Sequence, residues 1–141
     1  MIKRIDHIAI VVDDLDGALT FWRDTLGLEL AQVEAVPEQQ STVAFLPAGE
    51  SEVELVRPTT TTSGVARFLS KRGPGIHHIC FEVDDIAATL ADLKARGVRL
   101  IDEIPQIGAG GKQIAFIHPE SAYGVLIELY ELPPQGAGNL V

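Results

Sequence analysis

The sequence is poor in the residues that mark extracellular or nucleic-acid-binding proteins. Its 141 residues include one cysteine, Cys80, so the chain cannot form an internal disulfide, which fits a reducing compartment. Positive charge is also scarce, because 11 Lys and Arg stand against 20 Asp and Glu, for a formal net charge of −9. That balance argues against nucleic acid or an anionic membrane as a general partner.

A long hydrophobic run is missing as well. The apolar start, MIKRIDHIAIVV, is interrupted by Asp6 and His7 and stops at Asp13. It is too short and too charged for a signal peptide or a membrane span. We therefore expect a soluble cytoplasmic protein of one average domain, whose 46% hydrophobic residues suffice for a core.

One phrase occurs twice in the chain. The segment IDHIAIVVDDL returns as IHHICFEVDDI, with His7 and His78 at the same place in the two copies. The same offset aligns VAFL at 43–46 with IAFI at 114–117. With a small gap, the segment EVELV, around Glu54, aligns with LIELY. Such internal similarity predicts two copies of one structural unit.

Each copy predicts the same order of elements. The opening phrase alternates apolar residues with period two, which predicts a strand with the histidine on the face opposite Ile8 or Ile79. Asp14 and Asp85 are suitable N-caps for a following helix. Three β-like segments then complete each copy, so the unit is βαβββ.

The predicted fold class is α+β, with two tandem βαβββ modules that form a cupped mixed sheet around a central cleft. The modules span about 3–60 and 74–132, and a helix over about 63–72 links them. Because each copy is small for an independent core, the two should share one domain over 1–132. We expect residues 133–141 to be a flexible tail.

Four possible metal ligands lie on the strand faces that the helices should leave uncovered. They are His7 and Glu54 in the first copy and His78 and Glu128 in the second. A lone histidine on a strand is usually structural, but two histidines and two glutamates at equivalent places in a repeat favour a shared metal. Nitrogen and carboxylate ligands suit Co²⁺, Ni²⁺, Mn²⁺ or Zn²⁺. His77 has no histidine counterpart in the first copy, so we interpret it as structural.

The motifs that carry these residues resemble the vicinal oxygen chelate superfamily, to which the glyoxalases belong. They are IDHIAIVVDDL, GPGIHHICFEVDDI, IGAGGKQIAFIHPES and GVLIELYE, and the likeness covers almost all of 3–132. Within the superfamily they are most similar to the methylmalonyl-CoA epimerase family. The resemblance implies a homodimer with one divalent metal per site, cobalt first, held by His7, Glu54, His78 and Glu128.

The resemblance also implies a substrate, methylmalonyl-CoA or a similar acyl-CoA. Because the repeat should place Glu54 and Glu128 on opposite sides of the metal, we expect Glu128 to be one acid/base and Glu54 to be the second, doubling as a ligand. Lys112, Gly110 and Gly111 would contact the coenzyme A thioester. Further cations for the coenzyme lie on the linker helix, at Arg67, Lys71 and Arg72.

The chain departs from the epimerase pattern on two strands. Many epimerases carry glutamine at the position of Glu54, where glutamate resembles glyoxalase I. Some epimerases carry an added glutamate near the positions of Thr42 and Val43, and neither of these can act as a base. These departures put the usual pair of bases in doubt.

Three alternatives stay open. A lyase of the glyoxalase I type would use the same four ligands, although HPESAYGVLIEL differs from that family's shorter turn. No arginine follows His7 on the predicted first strand, where that family binds glutathione. A non-catalytic module that binds a small molecule would need no metal. A ring-cleaving oxygenase would need redox-active iron and fewer protein ligands.

Overall fold

The computed structural model describes residues 1–108 and 111–134. It contains two compact units, which we call the N-terminal unit (Ile5–Ile79) and the C-terminal unit (Met1–Arg4 with Cys80–Val141). The first residues belong with the C-terminal unit because the Met1 ammonium lies 2.6 Å from the Asp84 carboxylate and the side chains of Lys3 and Arg4 bind Glu82.

The N-terminal unit holds the first βαβββ module and the linker helix. Its elements are β1 (Ile2–Val11, from Ile5 onward), α1 (Leu15–Leu19), β2 (Gln32–Val36), β3 (Ser41–Ala48), β4 (Ser51–Pro58), α2 (Gly64–Arg72) and the first half of β5 (Gly75–Val83). In this unit β2, β3 and β4 pair antiparallel in sequence, and β1 then pairs parallel with β4.

The C-terminal unit repeats that order of elements. The second half of β5 leads into α3 (Ile86–Ala95), β6 (Gln106–Ile107), β7 (Gln113–Ile117) and β8 (Leu126–Glu131). Strand β7 pairs antiparallel with both β6 and β8. Phe116 pairs with Glu128 across β7 and β8, just as Phe45 pairs with Glu54 across β3 and β4. The pairing register confirms the alignment of the two copies.

The predicted helix starts are confirmed. The Asp14 carboxylate accepts a hydrogen bond from the Gly17 amide at 3.0 Å, and the Asp85 carboxylate accepts one from the Ala88 amide at 3.0 Å. The first helix differs from a uniform α-helix, because α1 continues as a π-helical segment over Thr20–Thr25. There the Leu26 amide donates to the Phe21 carbonyl, five residues back, which widens the final turns.

Helices α1 and α3 each cover an apolar face of the strands in their own unit. In the N-terminal unit, Leu19 of α1 packs with Val12, Ala44, Leu46 and Leu55. In the C-terminal unit, the helix residues Ile86 and Leu90 pack with strand residues that include Val83, Ala115 and Leu129. No helix within residues 1–108 and 111–134 has the length and hydropathy needed to cross a bilayer.

Candidate active site

Strands β1 and β4 bring His7 and Glu54 together. Their register pairs His7 with Glu52 and Ala9 with Glu54, and residues two apart on a strand share a face. His7 is 9% exposed, and its Nδ1 lies 3.3 Å from Oε2 of Glu54. The same side of the unit is lined by the small apolar cluster of Ala9, Val43 and Val56.

The two predicted histidine ligands meet inside the N-terminal unit. Nε2 of His7 lies 3.2 Å from Nε2 of His78, with the rings nearly perpendicular at 78°. Two imidazole nitrogens that bind one ion at about 2.0–2.1 Å lie roughly 3 Å apart when they occupy neighbouring coordination positions. The spacing of this pair therefore fits a metal between the two Nε2 atoms.

The other nitrogen of each ring has its own partner. Nδ1 of His7 lies 2.8 Å from the Asp6 carboxylate, and Nδ1 of His78 lies 2.9 Å from Nδ1 of His77. Metal-ligating histidines nearly always donate this second N–H to an acceptor, which fixes the tautomer and the ring orientation. The sequence analysis did not predict either partner, although Asp6 and His77 occupy equivalent places, one residue before each ligand.

Glu128 lies in the C-terminal unit, half-buried on β8. It shares its strand face with Tyr130, whose hydroxyl accepts a 3.2 Å hydrogen bond from Arg4 and donates a 3.3 Å hydrogen bond to Glu82. That Glu128 completes a site with His7, Glu54 and His78 stays a prediction.

The predicted coenzyme-binding residues also belong to the C-terminal unit. Nζ of Lys112 lies 5.0 Å from the centre of the Tyr130 ring, within the range of a cation–π contact. Gly111 has a φ of +79°, a backbone conformation that favours glycine. Gly110 lies outside the described residues.

The strand that carries an added glutamate in some epimerases offers no base here. Alternation along β3 places Val43 on the face of Phe45, the partner of Glu54, and Thr42 on the opposite face. Val43 is 2% exposed and packs with Ala9 and Val56. Neither Thr42 nor Val43 therefore supplies an acid/base from this strand, and the role of Glu54 as the second acid/base stays a prediction.

The buried carboxylate of Glu82 binds Lys3 and Arg4, at the start of the chain, within the C-terminal unit. Glu82 is 5% exposed, and its carboxylate lies 2.8 Å from Nε of Arg4 and 3.2 Å from Nζ of Lys3. Burial alone would raise the pKa of Glu82, but the two cations outweigh it and hold the pKa below its ordinary value.

Comparison with known proteins assigns the family. The family model of the glyoxalase/bleomycin resistance protein/dioxygenase superfamily matches residues 6–116. The chain therefore belongs to this superfamily. Within it, the chain is 41% identical to an ethylmalonyl-CoA/methylmalonyl-CoA epimerase of Cereibacter sphaeroides, over 94% of this chain and 100% of that protein.

A solved structure and a more distant relative complete the comparison. A Streptomyces coelicolor methylmalonyl-CoA epimerase variant in complex with 2-nitronate-propionyl-CoA matches with a TM-score of 0.81 and 38% identity, over 94% of this chain and 96% of that one. A lactoylglutathione lyase of Haemophilus influenzae is 32% identical over 96% of this chain and 99% of its own length. The similarity is thus greater to epimerases than to this lyase.

Proposed function

We propose that this chain is a methylmalonyl-CoA epimerase, an isomerase that interconverts the (2R) and (2S) forms of its substrate. The observation that carries the proposal is the pair of Nε2 atoms of His7 and His78, 3.2 Å apart on the face that also holds Glu54. The chain's full-length similarity to an ethylmalonyl-CoA/methylmalonyl-CoA epimerase supports the choice of reaction.

The proposed cofactor is one divalent metal held by His7, His78, Glu54 and Glu128. The donor set of two imidazoles and two carboxylates suits Co²⁺ first, with Mn²⁺, Ni²⁺ or Zn²⁺ as alternatives. Asp6 is the nearer acceptor for Nδ1 of His7, so that ring keeps its orientation if the Glu54 carboxylate turns toward an ion. A bound ion of this kind supplies a Lewis acid that stabilises negative charge on substrate oxygens.

The reaction needs a proton removed from one face of the substrate and returned to the other. The α-hydrogen of a 2-methylmalonyl thioester is acidic because it lies between a thioester and a carboxylate. Glu128 takes or delivers this proton on one face, and Glu54 serves the opposite face. The two residues occupy equivalent positions of the repeat, each opposite a phenylalanine on the neighbouring strand, which supports a pair of opposed bases.

Recognition of coenzyme A requires local cations, because the chain is acidic overall. We assign Lys112, Gly110 and Gly111 to the thioester end of the coenzyme. On the linker helix α2, the Arg72 guanidinium lies 5.4 Å over the Phe68 ring, and Arg67 donates to the Thr62 carbonyl. Lys112 makes a similar contact with the Tyr130 ring, so we propose that Lys112 and the cations of α2, Arg67, Lys71 and Arg72, together supply the positive charge for the coenzyme. We further propose a cytoplasmic homodimer.

The second candidate is a lactoylglutathione lyase. The glutamate at position 54 and the similarity to the Haemophilus influenzae enzyme favour it. Such an enzyme would use the same metal ligands on a hemithioacetal of glutathione, so dependence on a free thiol separates the two functions.

Proton NMR of (2R)-methylmalonyl-CoA in heavy water tests the proposal directly. The cobalt-loaded enzyme should exchange the α-proton for deuterium. A coupled mutase that accepts only the other epimer should then form product at a rate that depends on the enzyme. Absence of exchange with a stoichiometric bound metal would rule out the epimerase and turn attention to a glutathione hemithioacetal as substrate.

A further inference from the structure

Asp6 and His77 perform the same contact in the two copies of the repeat. Each directly precedes a proposed metal ligand, and each places a polar atom against Nδ1 of that ligand. The distances agree closely, at 2.8 Å from the Asp6 carboxylate to His7 and 2.9 Å from His77 to His78. One partner atom is a carboxylate oxygen and the other an imidazole nitrogen, so the contact recurs although the residue type does not.

When a metal occupies Nε2 of both ligands, these contacts require one tautomer of each ring. An imidazole whose Nε2 binds a metal carries its proton on Nδ1 and must donate that proton to an acceptor. The Asp6 carboxylate accepts from His7. For His77 to accept from His78 through Nδ1, His77 must carry its own proton on Nε2. Both ligands then present an unprotonated Nε2 to the point where the two rings meet.

The packing of His77 fixes its ring for this role. Neighbouring residues on a strand point to opposite faces, so the 2.9 Å contact between His77 and His78 requires a specific ring orientation. Phe68 of α2 meets the His77 ring edge to face, with centroids 5.0 Å apart and planes at 72°. Helix α2 therefore holds the His77 ring in place in addition to linking the modules.

We infer that Asp6 and His77 are a matched pair of positioning residues that hold His7 and His78 through Nδ1, so that both Nε2 atoms converge on the metal. This inference rests on the proposed metal site and goes beyond it by assigning two residues outside the ligand set. It also gives His77 a function, where the sequence alone indicated a structural residue.

Two substitutions at position 77 separate the hydrogen bond from the packing. His77→Phe keeps an aromatic ring against Phe68 but removes the acceptor. His77→Asn keeps a neutral acceptor on a side chain of the same length as Asp6, which makes the equivalent contact in the first copy. His118→Phe, on the 3₁₀ turn after β7, is the matched control for loss of a histidine.

The measurement is the Co²⁺ dissociation constant, obtained by competition with a coloured chelator at fixed pH. We expect His77→Phe to weaken Co²⁺ binding by about 10–100-fold, the usual effect of losing such a partner. His77→Asn and His118→Phe should bind Co²⁺ almost as tightly as the parent. Thermal unfolding in excess chelator shows whether each variant is folded.

Two outcomes would overturn the inference. Parent-like affinity in His77→Phe, with a loss in His77→Asn, would show that the packing of the ring matters and the acceptor does not. Equal losses in the two variants would show that an acceptor at position 77 does not restore binding. If His77→Phe does not fold, Asp6→Leu against Asp6→Asn makes the same comparison at the equivalent position. A parent protein that binds no Co²⁺ would instead reject the proposed metal site, so the two failures are distinguishable.

Discussion

Glu128 is the residue whose change should affect the chemistry most directly. Glu128→Gln keeps the size of the side chain and removes its ability to exchange a proton. We expect turnover to fall by at least the ~10²–10⁴-fold that general acid–base catalysis contributes. The measurement is α-proton exchange of both epimers in heavy water. Glu120→Gln, an exposed glutamate of the same unit that pairs with Arg99, is the control and should retain activity. Exchange of both epimers at the parent rate in Glu128→Gln would exclude the assigned role.

Glu82 should make stability depend on acid pH. Its pKa is held below the ordinary value of 4.5 by Arg4 and Lys3. A lowered pKa in the folded state means that the stabilisation is present above the ordinary value and is lost as pH falls through the folded-state pKa. Glu82→Gln should therefore lower the free energy of unfolding at pH 7 by about 1–3 kcal/mol, with the difference shrinking at low pH.

Urea unfolding of the parent and of Glu82→Gln between pH 7 and pH 3 measures this difference. The control is Glu103→Gln, because Glu103 is an exposed partner of Lys94 and its ion pair should contribute little. A difference between parent and Glu82→Gln that stays constant across this range would show that the stabilisation does not depend on the charge of Glu82.

At the scale of elements, sequence patterns predicted the structure correctly where residues close together in the chain determine it. The capping aspartates, the strand alternation and the linker helix followed from residues near one another in sequence, and the structure confirms them. The partners of His7 and His78 could not be predicted, because side-chain orientation depends on packing such as that of Phe68. The unit boundary within β5 likewise depends on contacts between residues far apart in sequence.

Helix α3 provides a test of capping at the element scale. Asp85 accepts from the Ala88 amide, and substitution of such an N-cap by alanine typically costs about 1 kcal/mol. Asp85→Ala should therefore lower the free energy of unfolding by about this amount, and Asp85→Asn should restore most of it. Asp92→Ala, which removes an exposed ion pair between α3 and its C-cap residue Arg96, should have a smaller effect. Chemical denaturation of the three variants measures these changes. Equal losses of unfolding free energy in Asp85→Ala and Asp92→Ala would contradict the assigned cap.

For the whole molecule, duplication explains why one chain contains two similar units. Equivalent positions of the two units nevertheless carry different residues in different environments. Glu82 of the C-terminal unit corresponds to Val11 of the first copy, which is fully buried. One copy therefore uses an apolar residue where the other uses an acid that binds the start of the chain. The repeat places the proposed ligands at equivalent positions while the residues around them differ, so the internal symmetry of the sequence indicates candidate ligands but not the residues that surround them.

Metal binding should stabilise the folded chain as a whole. A ligand that binds only the folded state at a hundredfold excess over its Kd adds about 2.7 kcal/mol to the free energy of unfolding. Saturating Co²⁺ should therefore raise the Tm by several degrees, and chelator should reverse the rise. His7→Ala and Glu128→Ala should each reduce this Co²⁺-dependent shift if both units contribute ligands, whereas His118→Ala should retain it. A parent-sized shift in Glu128→Ala would confine the ligands to the N-terminal unit, because His7, Glu54 and His78 all belong to it.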